Sequence, residues 1–417
     1  MNNHGNIAEK ILENAVYGLE KWENEQVNID DYLNFHLSDP DLRRSISSLI
    51  FEYFRHRTIV EKLLNRMISS PCKPEYRRIL SAACTQILYQ DGIAAASAVN
   101  VAVDFAKRKY QRQAAGFINA VLRNITRLDF DTFKAELSDA ERCGLPTPLY
   151  EHWRKTFPES FVGLCGLLRQ RAIFTFRACR KPLDEVETEM LEAIPIPSEG
   201  FYFYRTDNPI NLLASDALKN GRVYIQDAAT ALAPTLASIQ QGERVADLCA
   251  APGGKSLMIL ETLRGTGSLA VADRSATRQK LTRQNLSLRG YDNVPVTVDS
   301  VLKSSFDDGA FDVVLLDVPC SNTGVFHRRP DVLWTFCDEK VRELTELQMN
   351  ILRACARLVR TGGRIVYSTC SIEPRENGEL VRRFIGEMPA FQLLRQKQLI
   401  PNELHDGAYA AVLQKNA

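Results

Sequence analysis

Two cysteines stand just past runs of strand-forming residues. In "FDVVLLDVPCSNTGVFHRRPD", which starts at Phe311, the apolar run stops at Asp317 and Cys320 follows. In "GRIVYSTCS" a β-branched run ends in Cys370. A thiol in such a place is either a small packing residue or a nucleophile. A free thiol has a pKa of about 8.5 and is only a few per cent ionised near neutrality, so a reactive one needs a cation or a helix end beside it. Lys255 and the basic run His327, Arg328 and Arg329 supply candidates.

Carboxylates recur at the same end of the neighbouring runs. Asp247, Asp273, Asp299 and Asp317 each stand at or near the end of a successive strand-like segment. Between the first two lies "DLCAAPGGKS", a glycine-rich turn that opens a helix and holds Cys249, Ala250, Ala251, Pro252, Gly253, Gly254 and Lys255. Glycine lets a backbone approach a ligand closely. The spacing fits neither GxxxxGK[ST] nor GxGxxG, so no phosphate cradle is present. Asp273 lies where a carboxylate accepts hydrogen bonds from ribose hydroxyls. Carboxylates without a phosphate cradle point to a nucleoside cofactor such as S-adenosylmethionine.

Two thiols beside a methyl donor fit a carbon too weakly nucleophilic to react by itself, and C5 of cytosine is one. A thiolate adding to C6 makes C5 enamine-like, so that it takes the methyl group. Loss of the C5 proton then expels the thiolate. Asp317 is placed to hold the cytosine edge through N3 and N4. Spacing alone does not rank Cys320 against Cys370, and the remaining eight cysteines read as structural.

The elements that must position these groups change in kind along the chain. Residues 1–140 read as successive helices, with apolar residues at threes and fours in "AEKILENAVYGLEKW" and "LSAACTQILYQ". Within them "FAKRKYQRQAAGFINAVLRNITR" carries Lys107, Arg108, Lys109, Arg112, Arg123 and Arg127 and no acidic residue, together with Phe105, Tyr110 and Phe117. Such a run is either a solvated helix face or an RNA-backbone contact. Residues 141–221 read as a small linking α+β module with strands in "IFTFRACR" and "GFYFYRT". Residues 222–417 alternate strand, loop and helix, which implies an α/β, mostly parallel, Rossmann-like sheet with ligands beyond the carboxyl ends of its strands.

Composition narrows the class further. Apolar residues make up 45% of 417 and charged residues 25%, a globular balance with material for more than one core. The net charge of +1 gives no global field, so any basic face is local. No apolar run reaches the ~18 residues needed to cross a bilayer, and "MNNHGNIAEK" lacks a signal-peptide pattern. Ten cysteines without a CxxC pair and six scattered histidines favour a cytoplasmic protein with reduced thiols and no zinc site.

The stretches "DLCAAPGGK", "DVPCSNTGVFHRRPD" and "YSTCSIEPREN" resemble the signature motifs of the NOL1/NOP2/Sun RNA (cytosine-C5) methyltransferases, and "AVNVAVDFAKRKYQRQAAGFINAVLRNI" resembles a NusB-like RNA-binding domain. The resemblance implies a methyltransferase preceded by an all-α NusB-like domain, acting on RNA, foremost 16S rRNA or a small-subunit precursor, as a monomer. It implies that Cys370 is the nucleophile, that Cys320 assists product release, and that residues 249–255 with Asp273, Asp299 and Asp317 hold S-adenosylmethionine. Arg328 and Arg329 join Lys107, Arg108, Lys109 and Arg112 as expected RNA contacts. The chain departs from the family pattern at Val318 and Asn322 and in "SLMIL" after the cofactor loop. The same chemistry on tRNA or at another rRNA site, and a non-catalytic RNA-binding assembly or transcription factor, stay open as alternatives.

Overall fold

The computed structural model describes residues 3–416 and divides into two compact units. One holds the chain through Gln170 together with Arg329–Thr335, and the other holds Arg171–Arg328 and Phe336–Ala417.

The first unit is helical. Its long helices are Asn3–Glu25, Pro40–Met67, Pro74–Tyr89, Ala95–Lys109 and Arg112–Thr126. Asp39 caps the second of these by accepting from the backbone N–H groups of Asp41 and Leu42, with Pro40 in the first turn. The apolar stripes read from the sequence meet in one core that includes Leu12, Phe54, Leu63, Phe105 and Ile118. Residues 141–168, read from the sequence as the start of the linking module, continue this unit in helices Thr147–Thr156 and Phe161–Leu168. There Cys143 and Cys165 form a disulfide. This corrects the expectation of reduced thiols throughout, because sparse cysteines argue against a disulfide scaffold but not against one bridge. The segment from Arg329 to Thr335 packs here through Trp334, whose indole N–H donates to the Phe54 carbonyl at 3.0 Å. The Arg57 guanidinium covers the rings of Trp22 and Trp334, at 4.9 and 4.6 Å from their centroids.

The second unit contains two sheets. The smaller is antiparallel and built from β1 (Phe174–Ala178), β2 (Ile194–Ile196), β3 (Tyr202–Thr206) and β4 (Val223–Ile225), in the order β2-β3-β1-β4. The larger comprises β5 (Arg244–Asp247), β6 (Ser268–Asp273), β7 (Val296–Val298), β8 (Phe311–Asp317), β9 (Val359–Thr369), β10 (Phe391–Leu399) and β11 (Ala408–Lys415). Its order is β10-β11-β9-β8-β5-β6-β7, parallel from β9 through β7 and antiparallel at β10 and β11. The central strands are continuous apolar runs because both faces are covered, as Val313, Val314, Leu315 and Leu316 show by their complete burial. Chain order reverses between β5 and β8, which opens a crevice at the carboxyl ends of β5, β8 and β9. Among the described residues no helix is long and apolar enough to cross a membrane.

Candidate functional site

Three of the four strand-end aspartates are the last residues of their strands: Asp247 of β5, Asp273 of β6 and Asp317 of β8. Asp299 follows β7 directly. Their settings differ. Asp247 is fully buried and accepts the Ser256 hydroxyl at 2.6 Å. Burial pushes its carboxyl up from 3.8 to about 7, against the opposing pull of the Ser256 bond. Asp273 accepts the N–H of Ala251 at 3.2 Å and that of Ser275 at 2.9 Å. Asp299 holds its own loop, with Ser300 N–H at 2.7 Å and both the N–H and hydroxyl of Ser305 at 3.1 Å.

The glycine-rich turn is fixed from several sides. Ala250 N–H donates to Ala272 O at 3.1 Å, Arg278 reaches Ala251 O at 2.6 Å, and Asn285 reaches Pro252 O at 2.9 Å. Gly253 has φ +99°, and a Cβ there would stand 3.1 Å from the Thr282 methyl. A Cβ on Gly254 would meet Gln226 Nε2 at 2.8 Å, so a larger residue does not fit without movement. Lys255, in the first turn of helix Gly254–Leu263, reaches back over the sheet to Asp317 at 2.7 Å. Ser368 donates to the other Asp317 oxygen at 3.1 Å. Burial works against the Lys255 ammonium, but the charges of Asp317, Cys370 and Asp247 outweigh it and raise its pKa above the ordinary 10.5.

The two thiols meet. Asp317 of β8 pairs in register with Ser368 of β9, so the loops leaving these strands start side by side. Cys320 Sγ lies 3.3 Å from Cys370 Sγ. Cys320 is buried, and Cys370 is half-buried. The hydrogen bond with Cys370 and burial drive the Cys320 pKa well above its ordinary value, with the charges of Cys370 and Glu376 adding to the rise.

Residues for which the sequence assigned no role hold this arrangement. Asn322, at φ +59°, accepts from Cys370 Sγ at 3.0 Å while its amide N–H donates to Cys320 O at 3.2 Å. Gly324 N–H donates to Cys370 O at 2.9 Å, and any Cβ on Gly324 would lie 2.6 Å from that oxygen. Glu376, fully buried, accepts from Ser321 N–H at 2.8 Å, Ser371 Oγ at 2.6 Å, Gln348 Nε2 at 3.0 Å and the Ser321 hydroxyl. The residue after each cysteine is therefore tied to one carboxylate. The only sequence signal for Glu376 is its place in "EPREN", since the partners are 5 to 55 residues away.

The expected RNA contacts fare differently from one another. Arg328 is committed inside the fold to Asp227 at 2.6 Å, Asp406 at 2.8 Å, Thr175 Oγ1 at 2.9 Å and Ile173 O at 2.9 Å. Its charge is spent there and is not presented to an RNA phosphate or to the thiols. Arg329 pairs with Asp30 at 2.9 Å. Arg108 is exposed but paired with Glu9 and Glu13. Lys107, Lys109 and Arg112 are exposed at the end of one helix and the start of the next, whereas Phe105 is core.

Residues 233–413 match the family model for 16S rRNA methyltransferase RsmB/F, and residues 9–127 match the NusB family. The chain is 30% identical over 378 residues to the probable ribosomal RNA small subunit methyltransferase B of Bacillus subtilis (strain 168), covering 85% of this chain and 82% of that one. The fold is similar to the crystal structure of PH0851, with a TM-score of 0.81, 22% identity and full coverage of both chains. NSun6 from Pyrococcus horikoshii, crystallised with SFG, superposes with a TM-score of 0.57 and 18% identity over 65% of this chain and 98% of that one. With identity at this level sustained over most of both chains, and with both regions matched, the chain belongs to the RsmB/F family of methyltransferases and carries an N-terminal NusB-family region.

Proposed function

We propose that this protein transfers a methyl group to C5 of a cytosine in small-subunit rRNA through a covalent bond between Cys370 Sγ and C6 of the base. The observation that carries the reading is the 3.3 Å contact of two thiols at the ends of neighbouring parallel strands, beside the Lys255–Asp317 pair. The cofactor is S-adenosylmethionine, which supplies an electrophilic methyl group when bound. The turn from Cys249 to Lys255 and the carboxylates of Asp273, Asp299 and Asp317 at the ends of successive strands fit such a nucleoside and would hold it.

Each residue's part follows from its setting. Lys255 is held charged by Asp317 and lies close enough to Cys370 to interact with it, which places a cation beside the thiol. The thiolate lone pair forms the S–C6 bond, and the C5=C6 electrons become the nucleophile at C5. Asp317, held by Lys255 and Ser368, faces the crevice with an exposed edge suited to the N3 and N4 side of the ring. Cys320 holds its proton because of its hydrogen bond with Cys370 and its burial, with the charges of Cys370 and Glu376 adding to the effect. Once Cys370 is a neutral thioether its charge no longer opposes ionisation of Cys320, although burial and the Glu376 charge still do; Cys320 then gives up its proton to water in the crevice and, as a thiolate, takes the C5 proton. Elimination then returns Cys370 as a thiolate. The exposed Lys107, Lys109 and Arg112 of the NusB-like unit suit contacts with the RNA backbone.

The test is Cys370→Ser in the full chain, with methyl transfer to 16S rRNA followed by bisulfite sequencing. Methylation falls to background while S-adenosylmethionine affinity changes less than about twofold. Appreciable turnover in the variant, or methyl groups placed elsewhere than cytosine C5, would overturn the assignment.

A further inference from the structure

A groove of about 410 Å³ on the second unit lies outside the thiol crevice, lined in part by Arg180, Arg222, Arg289, Glu261, Asn220 and Tyr291. Its charges do not balance. Arg222 is neutralised by Glu187 at 2.7 Å, and Glu261 is already taken by the buried Arg177 at 2.6 Å. Among the described residues Arg289 and Arg180 hydrogen-bond to carbonyl oxygens alone. Arg289 donates to Asn285 O at 3.0 Å and Val223 O at 2.8 Å, and Arg180 donates to Arg289 O. Both guanidinium groups lie over tyrosine rings, Arg289 on Tyr224 at 4.7 Å and Arg180 on Tyr291 at 5.2 Å.

Carbonyl dipoles and ring faces hold these side chains still but cancel no formal charge. Arg289 is only 7% exposed, and its Nε has no hydrogen-bond partner among the described residues. A buried cation without a counter-ion is costly, and an anion in the groove would remove that cost. Guanidinium forks match phosphate oxygens in particular. The wall is packed on itself: Gly221 turns at φ +73° against Leu288 O, where a Cβ would lie 2.7 Å away, and Leu288 caps the helix Ala276–Ser287, whose Asn285 donates to Pro252 O of the cofactor loop.

We propose that this groove binds a phosphodiester of the RNA strand, with Arg180 and Arg289 as the phosphate's partners. The proposal rests on the RNA-methylation reading but is tested separately from it. The experiment measures the affinity of the full chain for a 16S rRNA fragment across a KCl series, for wild type, Arg180→Ala and Arg180→Lys. Arg180→Ala should weaken binding at low salt and reduce the magnitude of the log–log salt slope by about 0.7–0.9, the share of one phosphate contact. Arg180→Lys, which keeps the charge, should retain the slope, and S-adenosylmethionine affinity should be the same in all three. An unchanged slope in Arg180→Ala overturns the proposal. So does a slope unchanged while inorganic phosphate raises the melting temperature of wild type but not of Arg180→Ala, because the groove then takes a free anion. Absence of methyl transfer by wild type would instead sink the RNA-methylation reading, since the slope reports binding alone.

Discussion

Replacing Glu376 with alanine should loosen both cysteine loops at once. The carboxylate accepts four hydrogen bonds in a site with no solvent access. Not all of its donors would be stranded. The hydroxyls of Ser321, Thr323 and Ser371 already lie 2.9 to 3.2 Å from one another, and the Gln348 amide keeps Pro319 O at 2.9 Å. The Ser321 N–H has no such alternative among the described residues and becomes a buried orphan, at about 1–3 kcal/mol. The lost bonds to a charged acceptor and the cavity bring the total to about 3–5 kcal/mol. Glu376→Gln keeps the volume, and the hydroxyls can turn to accept from the new amide, so it should cost about 1–2 kcal/mol. Hydrogen exchange of the peptide covering residues 317–324 reads this locally, which matters because two units need not unfold together. At about 1.4 kcal/mol per decade, Glu376→Ala should lower protection there by about two to three and a half decades, and methyl transfer should fall with it. Unchanged protection with full activity would show that the carboxylate does not set the spacing of the thiols.

Cys320→Ser should still methylate but stall before elimination, because a serine hydroxyl is a far weaker base. The expected sign is a nuclease-sensitive, slow-migrating protein–RNA band on a denaturing gel, and rapid turnover without that band would remove Cys320 from the release step. Asp247→Asn tests the buried carboxyl. In wild type the unfolded carboxyl loses its proton near pH 4 while the folded one keeps it to about pH 7, so this group's contribution is full below pH 4 and is lost as pH rises from 4 to 7. Asp247→Asn lacks that loss, and its stability relative to wild type should rise across the same window by about 1.4 kcal/mol per unit, levelling off above pH 7. Parallel denaturation profiles from pH 4 to 7 would contradict the protonated state of Asp247.

The parts of this molecule legible in the sequence are those that topology alone determines. Buried parallel strands must be unbroken apolar runs, so each polar residue that ends one marks the same edge of the sheet, as Asp247, Asp273 and Asp317 do. Two cysteines, one residue beyond β9 and three beyond β8, converge once these strands are neighbours. Whether a side chain is available for chemistry is different, because it depends on partners with no fixed spacing. Arg328 reads as a free cation in "HRRPD", yet its partners come from positions 173, 175, 227 and 406. Arg108 reads as part of an all-basic run, yet Glu9 and Glu13 approach it from the first helix. Cys143 and Cys165 pair because a turn at Gly144 (φ +90°) and a following helix bring them together, which no count of cysteines registers. Asn322 shows the boundary between the two kinds of information. Its departure from the small residue usual in the family is visible in the sequence, but only the left-handed backbone at φ +59° aims its amide at Cys370. Asparagine tolerates that backbone far better than a branched residue would, so one substitution supplies both the turn and a polar contact with Cys370. A thiol's place is thus a matter of strand order, and its surroundings are a matter of tertiary packing.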